Sequence, residues 1–147
     1  MSLLAQLTED MKAAMKARES ERLVVLRGLI AEIKRLEIDT KTPLDAAGEL
    51  DFLTKQAKRR RESIDAFAEA RPELADKERA ELEVIEAYLP KQLTPEEAAE
   101  ILRGVIARVG VTSKKEAGKV MRPAMDELKG RFPGKDVKAL VDSLLEG

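Results

Sequence analysis

The side chains in this sequence best placed to do chemistry are its lysines and arginines, and they are unevenly spread. Between residues 114 and 138 stand eight bases: Lys114, Lys115, Lys119, Arg122, Lys129, Arg131, Lys135 and Lys138. Four acids stand among them: Glu116, Asp126, Glu127 and Asp136. The whole 147-residue chain has a net charge of −1, so this is a local excess and not a basic protein. Such an excess neutralises phosphates, although the same bases serve equally well to keep short helices soluble. Only Phe132 interleaves with the bases, which disfavours stacking on single-stranded nucleotides. Duplex or folded RNA, read by backbone and shape, fits better.

Other clusters point less clearly. Lys58-Arg59-Arg60-Arg61 is the densest basic run, but on a helix these four residues point around more than one side. Pairing with Glu62, Asp65 and nearby acids is the expectation there. Glu78, Glu81 and Glu86 recur along one segment and could bind a divalent cation or share a proton; a solvated helix face paired with Lys77 and Arg79 is the simpler expectation. Gly130-Arg131-Phe132-Pro133-Gly134-Lys135-Asp136 looks like a phosphate loop, but it is one residue short between the glycines. Asp136 also stands where Ser or Thr is needed, which argues against nucleotide hydrolysis. The turn still opens onto a predicted helix start, where N–H groups favour an isolated phosphate.

The sequence has neither histidine nor cysteine. Ser–His–Asp and Cys–His catalysis are therefore excluded, and no zinc site, other metal site or cofactor is expected. Without disulfides, a reducing cytoplasm is the expected compartment. The longest run without a charge is Met1–Thr8, against roughly 20 apolar residues for a membrane span, so no membrane role is expected. The start has no basic n-region and no long apolar stretch, so no signal peptide is expected.

The elements that must position these residues read as helices throughout. Only four residues are aromatic, and the apolar remainder is Leu, Ile, Val, Ala and Met, which suits close helix packing. Ser2 caps a first helix to about Arg18, with Leu4, Leu7, Met11 and Met15 on one face. Ser20 caps a second to about Leu36, with Leu23, Leu26, Ile30 and Ile33 inward. Thr42 caps a third, with Pro43 at its first position, running to about Ala70. Arg71-Pro72 begins a fourth, to Leu89. Pro90 stops it, and Thr94, Pro95 and Glu97 start another with a capping box, so Glu86–Glu97 reads as a hinge. Helix five spans Pro95–Val109, with Ala98, Ile101, Leu102, Val105 and Val109 inward, and ends at Gly110. Ser113 and Glu116 form a second capping box for helix six, about Lys114–Lys129, with Val120, Met121, Met125 and Leu128 inward. Pro123 should kink or split that helix. Helix seven follows the Gly130–Gly134 turn, with Val137, Leu140, Val141 and Leu144 buried. The fold class is all-α: a four-helix N-terminal domain over residues 1–92, then a small three-helix bundle over 93–147.

Five stretches carry a resemblance to the YqeY family. They are Arg22–Ile38 (RLVVLRGLIAEIKRLEI), Arg60–Phe67 (RRESIDAF), Glu81–Leu93 (ELEVIEAYLPKQL), Gly118–Met121 (GKVM) and Lys129–Lys135 (KGRFPGK). They span nearly the whole chain in family order. The family shares a domain with the tail of the B subunit of tRNA-dependent amidotransferases. The resemblance implies an all-helical two-domain fold and a role near tRNA, because that tail helps hold the tRNA body while chemistry happens elsewhere. It also implies a link to glutamine-dependent carbon–nitrogen ligases. This sequence carries only the tail-like part, so amidotransferase activity by itself is not expected. Where the family usually has a small residue and Asp, this chain has Phe132-Pro133, which removes an acid from the basic stretch.

The sequence-based expectation is a non-catalytic accessory protein that binds tRNA or another folded RNA through its C-terminal domain. Lys119, Arg122, Lys129, Arg131 and Lys135 are the candidate RNA-binding residues. One alternative is a helical adaptor for a protein partner. Another is an amidotransferase-associated component acting only in trans, with an aminoacyl-tRNA or an amidotransferase-related protein as partner.

Overall fold

The structure, a computed structural model, describes residues 1–145. Ser2 accepts a hydrogen bond from Ala5 N at 3.1 Å and so starts α1, Leu3–Ala17. Arg18 ends it in the left-handed region at φ 57°. The helices that follow are α2 (Ser20–Thr40), α3 (Ala46–Phe67), α4 (Pro72–Glu86) and α5 (Pro95–Val109). After these, a 3-10 turn (Lys114–Glu116) leads into α6 (Ala117–Leu128) and α7 (Gly134–Leu144). Among the described residues there is no strand, so the class is all-α.

Contacts divide the chain into two compact units, Met1–Tyr88 and Leu89–Gly147. In the first, α1 packs on α2, α3 on α4, and α2 also on α4. Its core holds Leu3, Leu7, Leu26, Leu29, Ile33, Phe52, Leu53, Ala57, Ala75 and Ile85. Leu3 N donates to Glu49 Oε2 at 2.6 Å, and Tyr88 OH donates to Asp10 Oδ2, so both ends of the unit are tied down by side chains. In the second, α5, α6 and α7 pack pairwise around Leu102, Val105, Val120, Leu128, Val137 and Val141. Residues 89–92, which the sequence reading put with the first domain, fall in the second unit.

Several local expectations need correction. Met15 is 50% exposed, and Ala14 takes its place inside. Ser20 is the first helical residue of α2 and caps nothing; Glu19 precedes it with no side-chain cap. α2 continues to Thr40, whose hydroxyl donates to Leu36 O at 2.9 Å, and ends at Lys41 with φ 59°. The start of α3 is set by Asp45, not Thr42. Asp45 Oδ1 accepts from Gly48 N at 2.7 Å, while Leu44 N is held by Glu37 Oε2 at 2.9 Å, which keeps the chain extended one turn longer. α3 ends at Phe67 and α4 at Glu86, each about three residues early.

The second unit departs in fewer places. The Thr94–Glu97 capping box is present in both directions, at 3.0 and 3.1 Å. Ser113 makes no such box: its hydroxyl accepts from Lys115 N, and Glu116 reaches Lys119 instead. Val109 and Met125 are 38% and 40% exposed, and Ala124 takes the inward position on α6. α6 runs through Pro123 unsplit. The proline removes the N–H that would bond Lys119 O, a cost of about 3 kcal/mol in a helix interior. Burial of Val120, Ala124 and Leu128 on the same helix offsets it.

Candidate nucleic-acid interface

α6 presents its apolar side to the core through Ala117, Val120, Ala124 and Leu128. At 100° per residue the opposite side carries Lys119, Arg122 and Asp126, and Lys129 follows as the C-cap residue. All four are exposed. Two of the five candidate bases therefore share the outer face of one helix and a third stands at its C-cap, with Asp126 among them. Lys119 Nζ lies 3.0 Å from Glu116 Oε2, both well exposed, a pair worth about 0–1 kcal/mol and readily given up.

The turn after α6 fixes the remaining two. Gly130 is buried with φ 75°, a conformation that suits glycine and turns the chain sharply. Arg131 N and Phe132 N then close back on Leu128 O at 2.9 and 3.1 Å. Arg131 is half-buried, and Lys135 is exposed in the first turn of α7. The structure thus places the five candidates on one helix face and its C-cap, one turn and the next helix start.

A contact absent from the sequence reading joins this turn to the segment before α5. Gln92 Nε2 donates to Gly130 O at 2.7 Å and to Pro90 O at 3.0 Å, and Leu93 N donates to Arg131 O at 2.8 Å. The stretch read as a hinge is pinned to the GRFPG turn. It carries one more base, Lys91, whose side chain is 82% exposed. Carbonyl acceptors have no sequence signature, so nothing in the chain announced this pairing.

The other charged clusters behave differently. Arg59 Nη2 lies 2.9 Å from Glu32, and Arg61 Nη2 lies 3.5 Å from Glu86. Arg60 Nε sits 3.5 Å from Glu81 and 3.9 Å from Glu78, and its Nη1 donates to Gln56 Oε1 at 2.9 Å. Gln56 is itself buried and donates to Glu32. Arg59, Arg60 and Arg61 of this run are therefore tied to α2 and α4. The α4 acids are correspondingly not a solvated face: Glu78 and Glu81 are largely covered. Burial first, and then the neighbouring Glu81, push the Glu78 carboxyl above its ordinary value, while Arg60 pulls it down. Among the described residues no group of acids is arranged to hold a metal ion, and no helix is long and apolar enough to cross a membrane.

A family model described as Yqey-like protein matches residues 4–145. Among similar proteins is Altered inheritance of mitochondria protein 41, mitochondrial, of Eremothecium gossypii. It is 41% identical over 88 residues, 58% of this chain and 48% of that protein. The protein of the same name in Candida glabrata is 35% identical over 105 residues, 69% of this chain and 57% of its own. That of Pyrenophora tritici-repentis is 30% identical over 132 residues, 88% and 72%. The chain spans about half the length of the first two. These names overturn the cytoplasmic expectation, because each relative is named as mitochondrial. The inference failed because a lack of cysteine excludes disulfides without telling one reducing compartment from another.

Proposed function

The chain belongs to the Yqey-like protein family, and from that premise we propose that it is a non-catalytic accessory protein of tRNA metabolism. It holds tRNA or another folded RNA through the basic surface of its second unit. The observation that carries this reading is the outer face and C-cap of α6, where Lys119, Arg122 and Lys129 stand exposed and lead into the turn bearing Arg131 and the start of α7 bearing Lys135. Phosphate contacts of this kind read shape and not sequence, so affinity should vary little with base sequence. The relatives' names favour a mitochondrial setting for that work.

The test is tRNA binding by the full chain and by the triple variant Lys119→Glu, Arg131→Glu, Lys135→Glu, followed by fluorescence anisotropy with helicity checked by circular dichroism. The expected result is loss of most of the affinity. Unchanged affinity in the folded triple variant would remove this surface from consideration.

One observation favours a second reading, a helical adaptor. In the first unit a cleft of about 630 Å³ lies between α2 and α4, lined in part by Val24, Val25, Ala80 and Val84. Val24 is 66% exposed there. A protein partner seated in this cleft would be lost with Val24→Asp and would be insensitive to the triple variant.

A further inference from the structure

The segment before α5 and the turn after α6 are far apart in sequence but are held together inside the second unit by at least two hydrogen bonds. Gln92 bridges Pro90 O and Gly130 O, and Leu93 N meets Arg131 O. Pro90 has a ring-restricted φ, and Gly130 is buried. Lys91 sits between Pro90 and Gln92. Consecutive Cα atoms lie about 3.8 Å apart, so its backbone is one step from a side chain bonded to Gly130.

The two segments that meet at this junction carry bases and no acid of their own. Residues 90–94 and 129–135 contain Lys91, Lys129, Arg131 and Lys135 and no acid. The nearest acid with a contact to Lys91 is Glu97, whose Oε2 is 3.7 Å from Lys91 Nζ. Glu97 is also committed to the α5 cap, where Oε1 accepts from Thr94 N. An exposed pair at that distance contributes little, so the ammonium is readily released when a stronger anion arrives.

We propose that Lys91 is a further phosphate-contact residue of the RNA site, and that Gln92 is a positioning residue that holds it against the Gly130–Arg131 turn. The proposal rests on the RNA reading above and extends the site from one helix face to a two-segment surface. The backbone of folded RNA then meets the α6 face and the pinned segment together. The ligand chemistry is the phosphodiester backbone; an acidic protein surface is the competing class, and the experiment separates them.

The experiment uses the full chain, unfractionated tRNA, and anisotropy across a salt series. Lys91→Glu should weaken binding several-fold and reduce the salt slope by about 1, and Lys91→Arg should retain both. Gln92→Ala should make Lys91→Glu less costly, since an unpinned lysine has less contact to lose. That coupling would not arise if Gln92 only stabilised the fold. If Lys91→Glu binds normally while the Lys119/Arg131/Lys135 variant does not, this inference is wrong and the RNA reading stands. If both bind normally, the RNA reading itself has failed. Poly-glutamate serves as the acidic-protein probe: binding as tight as that of tRNA, and equally lost in Lys91→Glu, would overturn the assignment to RNA.

Discussion

Replacing Arg60 with methionine keeps most of the side-chain volume and removes the charge that sits between Glu78 and Glu81. Removing one partner of a fully buried ion pair costs about 3–5 kcal/mol, and of an exposed pair about 0–1 kcal/mol. The three side chains retain 21%, 22% and 19% exposure, so the site lies between these limits. The Gln56 carbonyl also loses its donor. Arg60→Met should therefore cost about 2 kcal/mol near neutral pH. The pH dependence has a defined sign. Glu78 already has a folded value above its ordinary one, and loss of the guanidinium raises it further. A carboxyl of that kind contributes stability that is present below its unfolded value and lost as pH rises through its folded value. The deficit of the variant relative to the parent should thus be largest at about pH 7 and shrink toward about pH 4. Urea unfolding of both proteins at the two pH values, followed by circular dichroism, measures it. An equal deficit at both pH values, or one under about 0.5 kcal/mol at neutral pH, would refute the reasoning.

Three further outcomes are expected. Glu78→Gln should be more stable than the parent near neutral pH, and its advantage should fade as pH falls through the raised folded value of Glu78 to the ordinary carboxylate range, as read from the same urea series. A fragment of residues 89–147 should melt cooperatively, whereas one of residues 94–147 should be weaker by about 2–3 kcal/mol. The shorter fragment lacks the Gln92 and Leu93 hydrogen bonds and the partly buried Leu93 side chain. Thr94→Ala should cost about 1 kcal/mol in the full chain by breaking the capping box, and Thr94→Ser should restore it.

What the sequence made legible was mostly local. The Thr94–Glu97 box and the Gly110 stop depend on neighbours within four residues, and both stand as read. The outer face of α6 follows from helical periodicity alone. Where two caps competed, sequence did not decide: Thr42 and Asp45 are both good N-caps, and a tertiary bond from Leu44 N to Glu37 selected the later one. The Arg60 cluster was hidden because its acids lie on another helix, 18 and 21 positions away, while nearer acids offered plausible partners. Glu86–Glu97 reads as a hinge from a helix stop at Pro90 and a start at Thr94, and the amide of Gln92 within it bonds to Gly130.

The central claim is that the second unit grips RNA by its phosphates. The most direct measurement is the affinity of the full chain for tRNA as a function of salt, from about 50 to 200 mM, the range over which phosphate-dominated binding weakens most visibly. The account predicts a linear fall of log K with log salt, with a slope reduced by about 1 for each phosphate-contact base removed from Lys119, Arg131 and Lys135. Affinity that is flat across the salt series, or a slope unaltered in the triple variant, would contradict it.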